Sequence, residues 1–362
     1  MELTSEEAIK LVWEGAIPLQ IRLHESEITT LPSPPPILVL GPRLGYLPLL
    51  MPLIKPHFSS TLPPGTDTIW FDYRGLPLKW HIPTGVLFDL LCAEPERPWN
   101  LTVHFRAHPG ETLIPCQGED NVKWSFINSL KEAAYIINGN CKNVMNMSEP
   151  DRFELWQSLV KGDMDSYHRV SSKLKLGPVG EDCMIRMLSS AGQPQQATGE
   201  TDSVGPNRSC RIPVRLYVRS VGEEIEDIED ASAMDSWDKF SYINRPVEVH
   251  KDEGCNLTLE TAVKRLLPEI FEDEPSTRGY VCLKKEDGGS KDGETTKGDD
   301  ASTTGQQETT SSRKSRIKLI RIQGIELDPQ IPFHWVVNNL KHPEYYLHIC
   351  VFVGSPLPTR VR

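Results

Sequence analysis

Apolar residues alternate with polar ones at Ile17, Leu19, Ile21 and Leu23, and do so again at Ile212, Val214, Leu216 and Val218. That period of two predicts a half-buried strand near the start of each half of the chain. The next elements of the two halves are also alike. In the first half an apolar run at 37–40 predicts a second strand and 46–58 a helix, although Pro48, Pro52 and Pro56 weigh against that helix, because an interior proline removes backbone hydrogen bonds. In the second half 246–250 predicts the second strand and 257–271 the helix. Between them, over 119–175, the period shifts to three or four. Val122, Phe126, Ile127, Leu130, Ala133, Ala134 and Ile137 then share one helical face, with Lys131 on its flank beside a stripe of Trp124, Asn128 and Tyr135. Two further helical stretches, DRFELWQSLV and DMDSYHRVSSKLK, are expected to bury Phe153, Trp156, Leu159, Tyr167, Val170 and Leu174. Ser148 with Asp151 fits a cap for the first, and Gly162 separates the two.

The likeness of the two halves continues into a duplication. IWFDYRGLPLKWHIPTGVLFDLL leads to WNLTVHF, and IKLIRIQGIELDPQIPFHWVVNNL leads to YLHICVF. Gly75 falls on Gly324, Leu76 on Ile325, Leu78 on Leu327, Pro83 on Pro332, Val86 on Trp335 and Leu91 on Leu340. After a three-residue deletion, Trp99, Leu101, Val103 and Phe105 fall on Tyr345, Leu347, Ile349 and Val351. Each unit therefore reads strand, strand, helix, strand, short helix, strand. A hairpin, a helix across the sheet and a closing strand make a two-layer α+β domain of the ubiquitin-like (β-grasp) type. The expected order is an N-terminal helix (1–15), a first ubiquitin-like domain (16–115), a helix-rich domain (119–178), a linker (179–209) and a second ubiquitin-like domain (210–355).

Composition sharpens this outline. The segment 222–238 carries eight Asp/Glu and no Lys or Arg, and 284–316 lacks any apolar residue larger than alanine. Neither buries enough surface to offset its ordering entropy, so both are expected to be mobile insertions. The acidic one accounts for eight of the eleven net negative charges and leaves the remainder near neutral, which argues against nucleic acid as a partner. No run approaches the roughly twenty apolar residues of a membrane span, and MELTSEEAIKLVWEG reads as an amphipathic helix and not a signal peptide. A cytoplasmic location is expected. The eight cysteines form no CxxC pair and imply no disulfides in that setting. His81, His104, His334 and His348 lie at or near expected strands, and no His/Cys/Asp/Glu spacing makes a metal set. Phosphate loops, GxSxG elbows and HExxH are absent, so no cofactor and no catalytic residue is expected.

The blocks WEGAIPLQIRL, LVLGPRLGYLPLL, IWFDYRGLPLKWHIPTGVLFDLL, PWNLTVHF, SLKEAAYII, RIPVRLYVRS and LIRIQGIEL through YLHICV, in that order, resemble the autophagy protein 5 family, its plant-type members in particular. The resemblance spans nearly the whole chain and fades at 189–209, 222–238 and 284–316. It implies two ubiquitin-like domains flanking a helix-rich one. It also implies that the lysine of SLKEA, Lys131, is the acceptor for the C-terminal glycine of the ubiquitin-like autophagy protein 12. The conjugate would bind autophagy protein 16 noncovalently and stimulate attachment of autophagy protein 8 to phosphatidylethanolamine at the phagophore membrane. An isopeptide bond needs a neutral amine, yet a free lysine is neutral only about once in 10³ at pH 7. With no base beside Lys131, since Glu132 points roughly 100° away around the helix, catalysis is assigned to the conjugating enzymes.

Other residues carry two readings each. Trp124, Asn128 and Tyr135 either contact the attached partner or pack on the first repeat. Lys161, Arg169, Lys173 and Lys175 either touch anionic lipid or form a solvated face. Two rivals to the scaffold remain open at this stage: a thioester enzyme using Cys92, Cys116 or Cys141, and an adaptor that binds only noncovalently. Lys123 and Lys142 are the alternative acceptors.

Overall fold

A computed structural model of the chain describes residues 4–65, 67–176, 210–222, 228, 231, 233–250, 256–271 and 316–354. The expected linker 179–209 and nearly all of 284–316 lie outside them. Helix α1 (Ser5–Glu14) starts on a capping box in which Thr4 and Glu7 satisfy each other's backbone amides. Strands β1 (Ala16–Leu23) and β2 (Ile37–Pro42) form the first hairpin. The proline-rich stretch then divides into a 3₁₀ turn, Leu47–Leu50, and α2 (Met51–Phe58). Pro48 and Pro52 occupy the opening positions of these two pieces, where no amide donor is needed, and only Pro56 lies inside the helix. Strands β3 (Trp70–Tyr73) and β4 (Leu76–Pro77), helix α3 (Thr84–Leu91) and β5 (Trp99–His104) complete the domain.

The helix-rich domain comprises α4 (Glu119–Asn138), α5 (Lys142–Met145), α6 (Glu149–Lys161) and α7 (Met164–Ser171). Ser148 accepts from the Asp151 amide to start α6, and Gly162 ends it in the left-handed region, as the sequence leads one to expect. The second ubiquitin-like domain has β6 (Cys210–Val221), β7 (Phe240–Val249), α8 (Leu259–Leu266), α9 (Pro268–Phe271), β8 (Ile317–Ile322), β9 (Ile325–Glu326), α10 (Phe333–Leu340) and β10 (Leu347–Gly354). Pro268 breaks the single helix expected over 257–271 into α8 and α9. Strand β7 is much longer than the expected 246–250. It accommodates Pro246 because its register partner is Pro213, so the two missing donors face each other.

The strand orders are β2-β1-β5-β3-β4 and β7-β6-β10-β8-β9, so the duplication is a duplication of fold. In each sheet a central parallel pair, β1 with β5 and β6 with β10, is flanked by antiparallel neighbours. The hairpin glycines match. Arg74 and Gly75 have φ of 53° and 85°, Gln323 and Gly324 of 52° and 79°, the mirror-image two-residue turn that favours glycine. Helices α3 and α10 coincide end to end under the sequence alignment, both following a proline, Pro83 and Pro332.

The alignment of the last strand needs correction. Phe71 pairs with Val103 and its equivalent Ile320 pairs with Val351, so Val103 corresponds to Val351, Leu101 to Ile349 and Trp99 to Leu347. The sequence alignment is displaced by two residues, a slip that preserves which side chains face the core and so leaves the hydrophobic pattern intact.

Two other expectations fail. Phe153 is not buried with Trp156 and Leu159; it stands 58% exposed on α6. The end of the acidic segment is anchored and not mobile: Met234 is buried, and the Trp237 indole N–H donates to the Pro77 carbonyl at 2.7 Å with the Lys79 ammonium 4.6 Å from its ring centre. Two apolar side chains let the last turn of a highly charged segment pack on the first domain.

The two sheets are covered differently. Every residue of α3 is buried, because the helix lies between its own sheet and the outer face of the second sheet, where Tyr217 and Cys350 join the core of the first domain. Consequently β10 is buried on both faces. The outer face of the first sheet stays open, with Leu38 and Leu40 69% and 68% exposed. Gly85 permits the close pass of α3 beneath the chain leaving β2, since a Cβ there would lie 2.9 Å from the Arg43 carbonyl oxygen.

Candidate functional site

Helix α4 buries Val122, Phe126, Ile127, Leu130, Ala133 and Ala134 and turns the opposite stripe to solvent. Trp124 and Tyr135 are 50% and 62% exposed, Asn128 is exposed, and Lys131 is half-buried between them. At spacings of three and four residues these side chains stand one above another along the helix. The Lys131 ammonium donates a long hydrogen bond, 3.4 Å, to Asn128 Oδ1. Of the two alternative acceptors, Lys123 is half-buried on the same helix and Lys142 is exposed on α5.

Among the described residues no carboxylate pairs with Lys131. Its neighbour Glu132 is engaged on another side of the helix, where Oε2 lies 3.3 Å from the Arg215 guanidinium and accepts from the Tyr346 hydroxyl, also at 3.3 Å. Beside that contact opens a cleft of about 330 Å³ where the three domains meet. Ser125, Asn128, Ser129 and Glu132 line it from α4, Lys79 and His81 from the first domain, and Arg215, Trp237 and Tyr242 from the second. Burial, Lys79 and Arg215 together push the His81 imidazole below its ordinary pKa, so the positive charge lining the cleft rests on Lys79 and Arg215.

Beneath the cleft is a buried hub that the sequence reading passes over. Arg215 donates to Glu344 Oε1 at 2.6 Å and to Ser129 Oγ at 3.0 Å, and its guanidinium lies 3.9 Å from the Tyr346 ring centre. The remaining Glu344 oxygen accepts from the Tyr46 hydroxyl of the first domain at 3.0 Å. Burial would raise the Glu344 carboxyl, but Arg215 and the His348 hydrogen bond overcome it and hold the group far below the usual carboxylate range. His342, Glu344 and His348 lie within 4.8 Å of one another, near enough to suggest a metal triplet. Their hydrogen bonds say otherwise. His342 Nε2 meets the Leu44 carbonyl at 2.9 Å and its Nδ1 accepts the Glu344 amide at 3.3 Å, while His348 Nε2 meets Glu344 Oε1 at 2.9 Å and its Nδ1 meets the Tyr217 hydroxyl at 3.2 Å. Every ring nitrogen has a protein partner, and a cation would sit beside Arg215. The KHPEYYLH spacing was the one sequence signal that could have drawn attention to the cluster.

Two of the three candidate cysteines, Cys92 and Cys116, are poor nucleophiles. Burial pushes the Cys92 thiol up to about 12, and Cys116 is likewise raised by burial. Cys141 is half-buried with its sulfur 3.5 Å from Met145 Sδ. The basic residues of the helical domain, Lys161, Arg169, Lys173 and Lys175, are all exposed; Lys173 pairs with Asp151 at 2.7 Å and Arg169 pairs with Glu154. Trp124, Asn128 and Tyr135 thus gather around Lys131, while the four basic residues are spread over α6, α7 and the turn after it.

Comparison with known proteins agrees with this architecture. Three family models match in order: "Autophagy protein ATG5, UblA domain" over 12–105, "alpha-helical bundle region" over 119–177 and "UblB domain" over 211–351. The chain is 56% identical to autophagy protein 5 of Oryza sativa subsp. indica over 362 residues, covering 97% of this chain and 95% of that one. It is also 56% identical to autophagy protein 5 of Arabidopsis thaliana over 353 residues, covering 97% and 99%. The crystal structure of Kluyveromyces marxianus Atg5 superimposes with a TM-score of 0.60 at 18% identity, covering 96% of this chain and 99% of that one, which is a likeness of fold.

Proposed function

The chain belongs to the autophagy protein 5 family, and from that premise we propose that it is a conjugation scaffold whose Lys131 receives the C-terminal glycine of autophagy protein 12 through an isopeptide bond. The observation that carries the reading is the placement of Lys131: its amine emerges between the exposed rings of Trp124 and Tyr135, meets only the Asn128 amide among the described residues, and has its adjacent carboxylate tied up elsewhere. Such an amine is accessible to an incoming thioester but not activated from within, so deprotonation falls to the conjugating enzyme. Trp124 and Tyr135 offer the flat aromatic surface on which an attached globular partner rests.

The conjugate, with autophagy protein 16 bound noncovalently, acts ligase-like by proximity, holding a loaded conjugating enzyme near the phagophore membrane so that autophagy protein 8 meets phosphatidylethanolamine. The scaffold is cytoplasmic and touches the membrane peripherally, where exposed Lys161 and Lys175 contribute on the order of 1 kcal/mol each next to anionic lipid. The raised thiols of Cys92 and Cys116 weigh against a thioester enzyme. A purely noncovalent adaptor is the second reading, favoured by the cleft at the three-domain junction.

One blot separates them. Denatured, thiol-boiled extract probed for the chain is expected to show a species heavier than 40.8 kDa in wild type and none in Lys131→Arg. An adduct released by thiol would restore the thioester reading, and no adduct in wild type would leave the adaptor.

A further inference from the structure

We propose that Arg215 and Glu344 are positioning residues for the acceptor helix, gripping from the second ubiquitin-like domain the turn of α4 that carries Lys131, and that His342 makes this grip proton-sensitive. The proposal rests on Lys131 as acceptor.

The grip is built from three elements. One Arg215 nitrogen reaches Ser129 Oγ at 3.0 Å and Glu132 Oε2 at 3.3 Å, which bracket Lys131 along α4, and the other reaches Glu344 at 2.6 Å. Tyr346, from the loop that holds Glu344, adds its hydroxyl to the same Glu132 oxygen. That loop is itself pinned from two other directions. The Tyr46 hydroxyl and the Leu44 carbonyl hold it to the first domain, and the Tyr167 hydroxyl of α7 donates to the Pro343 carbonyl at 2.5 Å. A planar guanidinium with two arms spans Glu344 and α4 at once, which a lysine ammonium does not do.

Proton sensitivity arises from the hydrogen bonds. His342 donates one nitrogen to Leu44 and must accept the Glu344 amide with the other, so its ring is neutral. Adding a proton sets N–H against N–H. The groups facing the pair are Arg215 and Tyr217 on β6, Tyr242 on β7, Glu132 on α4 and Tyr46 before α2. Tyr167 and His81 approach from the helical and first domains, and Lys341 and Tyr345 from the loop itself. Glu344 is the one carboxylate among them that is fully buried, and Arg215 already neutralises it. Burial accordingly drives His342 from 6.5 to about 4, opposed by Glu344, and lowers His348 for the same first cause. A lowered histidine stabilises the closed hub above the released pKa of 6.5 and loses that contribution as pH falls towards about 4.

The test is amide hydrogen exchange on the full chain from pH 7.5 to pH 4.5, corrected for intrinsic exchange, with α3 as the internal reference. Protection over 125–135 is expected to fall, by up to about tenfold per pH unit below pH 6.5, while α3 holds. Equal behaviour of α4 and α3 overturns the proton-sensitive grip. For positioning, adduct formation from a charged conjugating enzyme is measured at pH 7.5 on wild type and on Ser129→Ala with Glu132→Gln. The doubly substituted chain is expected to lose about tenfold in rate at saturation with its half-saturating concentration unchanged. Wild-type rates in a variant whose α4 protection has dropped overturn the positioning role. Absence of a Lys131 adduct in wild type instead overturns the acceptor reading, and the exchange data then still report on the hub.

Discussion

The two ubiquitin-like copies share a strand order and a hairpin turn, yet they treat that turn in opposite ways. In the first copy the Gly75 amide is taken by Asp72 of the same hairpin at 2.8 Å. The equivalent of Asp72 in the second copy is Arg321, and the Gly324 amide is taken instead by Asp89, at the same 2.8 Å, from α3 of the first copy. One exchange of sign converts an internal contact into a bond between domains. Arg321 then turns to the end of α3, donating to the Asp89, Cys92 and Ala93 carbonyls, while Arg219 donates to those of Leu90 and Leu91. A helix leaves its last carbonyls without intrahelical partners, and here the other domain supplies the cations that satisfy them. Copies of one fold thus become different parts of one body through a few polar substitutions on positions that pattern alone assigns to solvent.

Breaking that exchange is expected to have its largest effect at Asp89. Asp89→Ala removes both the Gly324 cap and the 2.5 Å partner of buried Arg43, leaving an uncompensated charge, at a cost of about 3–5 kcal/mol in urea unfolding. Arg219→Met and Arg321→Met are expected to cost about 1–3 kcal/mol each by stranding carbonyls, and to lower the cooperativity between the two domains, seen as separating transitions in calorimetry. On the open sheet, Leu38→Ser with Leu40→Ser is expected to stay within about 0.5 kcal/mol of wild type, because nothing is packed there to lose. A large loss from that last pair would mean that the first sheet is covered after all.

Much of this architecture was legible from pattern. The repeat, the α4 face, the Ser148 cap and the hairpin glycines each express a local rule, and local rules survive in a single sequence. The placement of Lys131 on the exposed flank of α4 was legible for the same reason. What escaped involves contacts between distant segments. The two-residue slip in the last strand left the apolar alternation unchanged. Phe153 reads as core by composition but sits on the wrong side of α6. Met234 and Trp237 are two apolar residues in a segment otherwise dominated by charge, and an average over that segment hides them. Arg219 and Arg321 occupy strand positions that would normally face water, and only the presence of α3 makes them interior. One signal was available and unused: TGVLFDLL is apolar almost all the way round, the mark of a helix buried on every side.

The seating of α3 on the second sheet is a head-to-tail contact between like folds. A contact of that kind, once made, offers the same helix at one end and the same sheet at the other, and in principle can be repeated into a filament. Neither end repeats the contact. Helix α10, the counterpart of α3, lies under α1, with the Ser5 hydroxyl on Asn339. The first sheet presents His24 and Asp72 where the second presents Arg219 and Arg321, so the two guanidinium groups that cap α3 have no counterpart at those positions. The series stops at two, and a short N-terminal helix serves as its terminator.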